Sequence, residues 1–335
     1  MHCVIVGFGR TAPAQVRLFE YDQVDGNPHE VAAEQINPYL IDAPLILVPS
    51  REAPISKVPP MLYGNKPADG GFLLLSDEEK HELGEREPGA KKYLRPFISA
   101  KEFLHGEKRW CLWLVDFEPQ DLKKLPLIRQ RIEEVRKFRG ASKKGATVEL
   151  AASPTLFAEI RQPMNDYLLV PCHSSELRDY IPIGFFSAKN IVANSCMCVP
   201  NATRYEFGVM TSAMHMAWVR QVCGRLESRY RYSAQIVYNN YPWPIALTAT
   251  QKRKIEHATQ AVLDARDAHP QATLAELYDA NAMPKDLRDA HKALDKAVDA
   301  AYSADGGKKS WGNDAERVAF LFKRYQAIAG GLAAG

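Results

Sequence analysis

Apolar residues fall in short blocks over the first two-thirds of the chain and settle into a helical period over the last third. Residues 2–8 (HCVIVGF) predict a buried strand and 16–21 (VRLFEY) a second, with a Thr-Ala-Pro loop between them, so the pair predicts an antiparallel hairpin. A further strand is expected at 44–48 (PLILV), bounded by prolines; the Pro-, Gly- and Asn-rich stretch 49–70 predicts a surface excursion. Residues 109–116 (RWCLWLVD) predict a strand. In 119–139, Leu125, Ile128, Ile132, Val135 and Phe138 recur at three- and four-residue steps, the mark of an amphipathic helix. Strands are expected at 167–171, 180–186 and 196–200, and a helix at 211–226, where Met214, Trp218, Val222 and Leu226 stand four apart. From about residue 249 the period is helical: Leu287, Ala290, Leu294, Val298 and Tyr302 form one stripe, Val318, Leu321, Phe322 and Tyr325 another. Pro284 suits a helix start, and the closing AGGLAAG is expected to fray. No internal repeat is visible. Mixed strands and helices followed by helices alone indicate an α+β chain.

Composition narrows the class. The 335 residues, 46% hydrophobic and 25% charged, fit a globular protein of two to three domains. No apolar run approaches the roughly 18 residues of a membrane span. The N-terminus has neither a basic n-region nor a small-residue cleavage site. Cys3, Cys111, Cys172, Cys196, Cys198 and Cys223 follow no disulfide framework and read as reduced thiols of a cytoplasmic protein. The net charge of +3 is unevenly spread. Residues 1–48 hold 2 basic and 6 acidic side chains, residues 49–245 hold 28 and 22, and residues 246–335 hold 13 and 12. Within the middle segment, 123–144 carries nine basic residues against Glu133 and Glu134. Such an excess suits a polyanion partner, nucleic acid first, or else a solvated helix face.

Several motifs weaken on inspection. The strand-then-glycine VIVGFG at 4–9 is similar to a nucleotide-binding turn, with Asp22 and Asp25 in the place of a ribose partner, but it lacks the third glycine and a following helix. Asn37-Pro38-Tyr39 is similar to the Asn-Pro-Pro-Tyr loop of amino-methylating DNA methyltransferases, yet one proline is missing and 26–36 reads as helical or irregular rather than as a strand. Cys172-His173 and Cys196-Met-Cys198 do not have zinc-ligand spacing and read as structural. His215, between Met214 and Trp218, reads as a hydrogen-bonded core histidine. No nucleophile–His–Asp triad can be assembled. More informative is RQVCGRLESRYRY at 220–232, where Arg220, Arg225, Arg229 and Arg231 interleave with Tyr230 and Tyr232. Arginine and tyrosine can bond phosphate, and arginine also reads guanine.

Long strings then carry a resemblance. TRYEFGVMTSAMHMAWVRQVCGRLESRYRYSAQIVYNNYPWP (203–244), RPFISAKEFLHGEKRWCLWLVD (95–116), KFRGASKKGAT (137–147), EIRQPMNDYLLVP (159–171) and SSELRDYIPIGFFS (174–187) resemble the MmeI-like single-chain type II restriction–modification enzymes. So do LYDANAMPKDLRDAHKALDKAVDAAY and NDAERVAFLFKRY near the end. In that family an endonuclease, an adenine-N6 methyltransferase and a target recognition domain follow one another. The resemblance implies a β-hairpin left from a Rossmann-like methyltransferase (1–48), a mixed-sheet DNA target recognition domain (49–245) and a C-terminal helical region (246–335). The family's cofactor glycine motif, full Asn-Pro-Pro-Tyr loop and nuclease are not in these residues. Hence no catalytic, cofactor or metal residue is assigned, and the chain alone is expected to be inactive; S-adenosylmethionine is expected only for the complete enzyme.

The partners implied are double-stranded DNA and the methyltransferase and endonuclease parts of the same enzyme, with no membrane. Lys123, Lys124, Arg136, Lys143, Lys144, Arg225, Arg229 and Arg231 are candidate phosphate contacts, and Arg161, Gln162, Arg178, Asn194, Ser195 and Arg204 candidate base readers. Trp218, Tyr241, Pro242 and Trp243 read as packing residues. Two other classes stay open at this point: a structural or protein-interaction subunit, and a small nucleotide-binding enzyme built on 1–48.

Overall fold

Two four-stranded sheets organise the chain, each with its own helices. A computed structural model describes residues 5–11, 15–21, 26–42 and 45–333. Its strands are β1 (Arg17–Glu20), β2 (His29–Ala32), β3 (Leu62–Tyr63), β4 (Leu74–Leu75), β5 (Leu94–Ile98), β6 (Trp110–Leu112), β7 (Tyr167–Pro171), β8 (His173–Ser174), β9 (Gly184–Phe186), β10 (Ile191–Val192), β11 (Cys196–Pro200), β12 (Gly224–Leu226) and β13 (Arg229–Arg231). Its helices are α1 (Asp77–Arg86), α2 (Ala100–His105), α3 (Asp121–Lys124), α4 (Pro126–Gly140), α5 (Gly145–Glu149), α6 (Arg204–Met210), α7 (Ala213–Val222), α8 (Ala249–Asp267), α9 (Leu274–Leu277), α10 (Lys285–Ala301) and α11 (Asp314–Ala333).

The antiparallel sheet β3-β11-β7-β9 is covered on both faces, which is why β7 and β11 read as unbroken apolar runs. One face presents Leu168, Val170, Met197 and Val199 to the main core. Tyr167, Leu169, Cys196 and Cys198 pack on the other side with Phe103 of α2 and Val192. The second sheet, β10-β5-β6-β4, is mixed, with β10 parallel to β5. Leu73, Leu75, Phe97 and Leu112 pack there against Leu125, Ile128, Ile132 and Val135 of the α4 segment. Phe138, the fifth member of the expected stripe, is exposed. Pro126 opens α4, whose first free N–H groups, at Leu127 and Ile128, are taken by the buried Glu87 carboxylate.

The C-terminal helices complete the main core instead of forming a tethered module. Leu287, Leu294, Val298 and Tyr302, and Val318, Leu321, Phe322 and Tyr325, are all buried in it. Trp218 of α7 lies 5.5 Å from the Phe322 ring and 6.0 Å from that of Tyr325. At Gly208 of α6 a Cβ would stand 2.3 Å from Thr259 Oγ1 and 2.7 Å from Ile255 Cγ2 of α8, so these two helices approach at backbone distance.

Several sequence expectations are corrected. Residues 16–21 do contribute a hairpin strand, and among the described residues β1 pairs with β2. The described residues 5–9 are neither strand nor helix, and Cys3, Asp22 and Asp25 lie outside the described residues. The stretch 45–50 is irregular, with Ile46 and Val48 buried, and only 184–186 of the block 180–186 is strand. The helix expected over 211–226 is α7, ending at Val222 with its chain turning into β12. Before it, α6 carries its signal in Thr203 and Glu206, a reciprocal cap of its first turn. Pro284 is the cap of α10 rather than its first residue, and α11 runs on into the tail to Ala333. The Pro-rich stretch after 49 is a bound strap: Asn239 Nδ2 donates to Arg51 O (2.8 Å), Asn240 Nδ2 to Pro49 O (2.9 Å) and the Ile55 N–H to Asn239 O (2.8 Å).

Candidate nucleic-acid interface

The end of β3 brings together three of the six base-reading candidates, Arg161, Gln162 and Asn194. At Gly64 a Cβ would stand 2.2 Å from Ala193 O, so only glycine lets this backbone close on 192–194. Closure buries Asn65 completely. Its N–H and Nδ2 both donate to Val192 O (2.7 and 2.9 Å), Nδ2 also donates to Gln162 Oε1 (2.8 Å), Oδ1 accepts the Arg161 N–H (2.7 Å) and its carbonyl accepts the Asn194 N–H (2.9 Å). Asn65 is thus the joint of the 161–162 and 192–194 loops. The sequence reading missed it; the Gly-Asn pair just after a short strand was the available signal.

Individual candidates then separate. Arg161 is exposed, pairs with Glu159 and reaches Gly64 O (3.4 Å). Asn194 is exposed. Gln162 is spent internally: Oε1 also accepts the Val192 N–H (3.1 Å), while Nε2 donates to Ala188 O (3.1 Å) and Asn190 O (2.8 Å). Its amide holds loops and presents no free edge, which removes the reason for naming it a base reader. Ser195 Oγ accepts the Ala100 N–H at the start of α2 (3.1 Å). Arg178 is half-buried, with Nη1 3.5 Å from Ser174 Oγ. Arg204 is the exposed first residue of α6, and its carbonyl accepts from Thr259 of α8 (2.9 Å), so no hydrogen bond joins it to the Asn65 group.

A basic hairpin extends this region. β12, β13 and β8 form a three-stranded sheet in which Arg229 stands opposite Leu226, and Arg231 lies between Gly224 and His173. Residues directly opposite share a face. One face therefore carries Arg229, Arg231, Leu226 and His173, all exposed. The other carries Tyr230, which is buried, with Arg225 and Ser174 beside it. Arg225 is turned back on the protein: its guanidinium lies 4.1 Å from the Tyr230 ring centroid and donates to Ser228 O (3.0 Å) and Arg220 O (3.2 Å). Arg225 remains exposed while these bonds orient it along the hairpin. The hairpin connects to the Asn65 group through Cys172, whose N–H donates to Ser195 O (2.9 Å) and whose carbonyl accepts the Tyr232 N–H (2.9 Å).

The lysine-rich segment also divides. Lys123, Lys124, Lys143 and Lys144 are exposed, as is Arg136, 3.9 Å from Glu133. Arg139 is fully buried and donates to five backbone carbonyls, those of Pro67, Ala68, Leu150, Ser153 and Leu156, at 2.7–3.1 Å. Though one of the nine basic residues counted in the sequence, it pins the loops flanking the 159–162 segment and faces no solvent. Arg131 likewise pairs with Glu79 (2.8 Å).

The weaker motifs become structural. Asn37 Oδ1 accepts the Tyr39 N–H (2.9 Å), the Tyr39 carbonyl accepts from Gln221 (2.7 Å), and the Tyr39 ring lies 5.3 Å from that of Phe322, so Asn-Pro-Tyr staples the N-terminal segment to α7 and α11. Burial pushes the Cys198 thiol up to about 12 and Cys172 and Cys223 to about 11, which keeps them protonated. His215 Nε2 lies 2.9 Å from Tyr232 OH, and burial lowers its pKa to about 3, so it is a neutral core group.

Comparison with known proteins places this geometry. The MmeI target recognition domain model matches residues 42–245, and the MmeI C-terminal domain model matches 247–333. The chain belongs to the MmeI family. Its fold superposes on the type IIL restriction–modification enzyme MmeI, solved in complex with DNA, with a TM-score of 0.89 and 42% identity over 96% of this chain and 42% of that one. It is 39% identical over 325 residues to DNA methyltransferase A of Bacillus subtilis (strain 168), covering 97% of this chain and 36% of that protein. The chain therefore spans less than half the length of either relative. Among the described residues no helix is long and apolar enough to cross a membrane.

Proposed function

We propose that the chain is the sequence-specific DNA recognition module of an adenine-N6 methyltransferase of the restriction–modification type. The observation that carries the reading is the exposed two-stranded ribbon β12–β13 with Arg229 and Arg231 on one face, joined through Cys172 to the loops holding Arg161 and Asn194. A major groove accepts a two-stranded ribbon, and arginine forks and amides match base edges there. On this reading we assign Arg229 and Arg231, first named as phosphate contacts, to base reading. Lys123, Lys124, Lys143 and Lys144 supply charge for backbone contacts that set affinity and register.

Within this reading the hairpin β1–β2 completes a methyltransferase sheet. An isolated two-stranded sheet is marginal in water, and its neighbourhood exposes Phe8, Leu45, Leu47 and Tyr21. Methyl transfer and S-adenosylmethionine binding belong to the methyltransferase part, so residues 1–335 alone bind the cofactor weakly and transfer no methyl group. Selection of bound duplexes from a random-sequence pool, with the chain alone and mixed with the methyltransferase part of a relative, tests the proposal. Recovery of one enriched sequence supports it. Failure to retain any duplex at low salt in either format refutes it and leaves an interaction subunit.

A further inference from the structure

The Tyr230 face of the hairpin is tied to the C-terminal helices by a line of ion pairs and hydrogen bonds. Asp299 of α10 accepts from Arg317 of α11 (2.8 Å), in a pair whose side chains are 5% and 11% exposed. Arg317 lies 3.7 Å from Asp314, at the start of the same helix. Asp314 Oδ2 accepts from Arg220 Nη1 of α7 (2.7 Å). Arg220 spends its other amino group on Asp179 O (3.0 Å), in the loop between β8 and β9. Its own carbonyl accepts from Arg225 (3.2 Å), and Arg225 in turn donates to Ser228 O in the turn of the hairpin and covers Tyr230. Ser228 Oγ closes the circuit by donating to Glu176 Oε1 (2.6 Å), back in the 175–183 loop.

The turn needs this support. It is only two residues long, Glu227 and Ser228, and Glu227 sits at φ +57, where glycine is favoured. β12 is the edge strand of its sheet and β13 is held on its far side by only two residues of β8, so the strained non-glycine turn gains little hold from the sheet itself. Fixed on both sides, by Arg225 from within and Glu176 from the adjoining loop, it presents Arg229 and Arg231 at a set distance and angle.

We propose that Arg220 and Asp314 are positioning residues for DNA reading: α11, through Asp314 and Arg220, sets the geometry of the β12–β13 hairpin. The C-terminal helices then act on specificity without touching DNA, because this line of bonds ends on the face opposite Arg229 and Arg231. This rests on the DNA-recognition reading, so the test has one arm that needs no DNA. In the full chain, Asp314→Asn keeps the size of the side chain, removes its charge, and still offers one acceptor oxygen. Amide hydrogen exchange is expected to rise at least tenfold over 224–231, with no change in β7 and β11. In the second arm, affinity for the selected duplex falls at least tenfold while affinity for scrambled duplex is unchanged, and Asp314→Glu restores most of both.

Unchanged exchange over 224–231 in Asp314→Asn overturns the proposal whatever the DNA result. Equal loss on both duplexes also overturns it, since it marks Asp314 as a contributor to general stability or charge. Should Asp314→Asn unfold, Arg220→Lys serves instead. It keeps a cation near Asp314 but loses the fork that also holds Asp179 O, and the same two readouts decide. If wild-type chain shows no sequence preference, the DNA-recognition reading fails, while the exchange arm still decides whether α11 holds the hairpin.

Discussion

Replacing Arg139 separates charge that meets DNA from charge that holds the fold. The guanidinium has five N–H groups, and all five meet backbone carbonyls, with no carboxylate bonded to it. Arg139→Ala would strand carbonyls from three separate pieces of chain, at 67–68, 150–153 and 156. A buried polar group left unsatisfied costs about 1–3 kcal/mol, and water entering the vacated space recovers part of it, so a net loss of about 3–5 kcal/mol is expected. Arg139→Lys supplies three donors for five acceptors and should lose about 2–4 kcal/mol. Urea unfolding followed by tryptophan fluorescence measures both, since Trp110 and Trp113 pack against the same core. A loss under about 1 kcal/mol for Arg139→Ala, or full recovery by lysine, would refute the argument that the fork's geometry matters here. The salt dependence of DNA affinity should not change for either variant under conditions where it is folded.

Lys143→Ala with Lys144→Ala should do the reverse, leaving the urea midpoint alone and flattening the log–log salt dependence by roughly one unit per lost phosphate contact; an unchanged slope would remove these lysines from the interface. Arg229→Ala and Arg231→Ala should each cost roughly 1–3 kcal/mol on the preferred duplex and little on random DNA, by competition binding, and proportional loss on both would return them to the phosphate set. Burial raises the Asp295 carboxyl to about 6, opposed by hydrogen bonds from Tyr180 OH (2.7 Å) and the Ala213 N–H (2.7 Å). The folded state then holds this proton more tightly than the unfolded chain, so the contribution favours folding below about pH 4 and is lost as pH rises through about 6. Asp295→Asn should flatten that fall in urea stability, and an unaltered pH profile would place the effect elsewhere. Truncation after Pro244 uncovers Trp218 and should produce dye-binding or aggregated protein; unchanged melting would contradict the shared core.

Residues whose meaning is local were legible in the chain. The three- and four-step stripes at 287–302 and 318–325 met their partner surfaces, since a marginal lone helix must bury such a stripe. The unbroken runs at 167–171 and 196–200 became β7 and β11 with those bounds, because a strand covered on both faces leaves no polar alternation to blur it. The long strings shared with the MmeI family held through the fold comparison. Only the tertiary structure decided what each charged side chain does. Arg139 and Lys143 stand four residues apart in one basic run, yet one is buried on five carbonyls and the other is exposed. Arg225, Arg229 and Arg231 are likewise neighbours in sequence, and the strand register sends the first to one face and the other two to the opposite face. Asn65, which joins the 161–162 and 192–194 loops, has bonds spanning nearly a hundred residues or more, so no local pattern could reveal it. Apolar periodicity records how much surface an element must bury; the fate of a polar group depends on which distant backbone atoms the finished fold leaves within its reach.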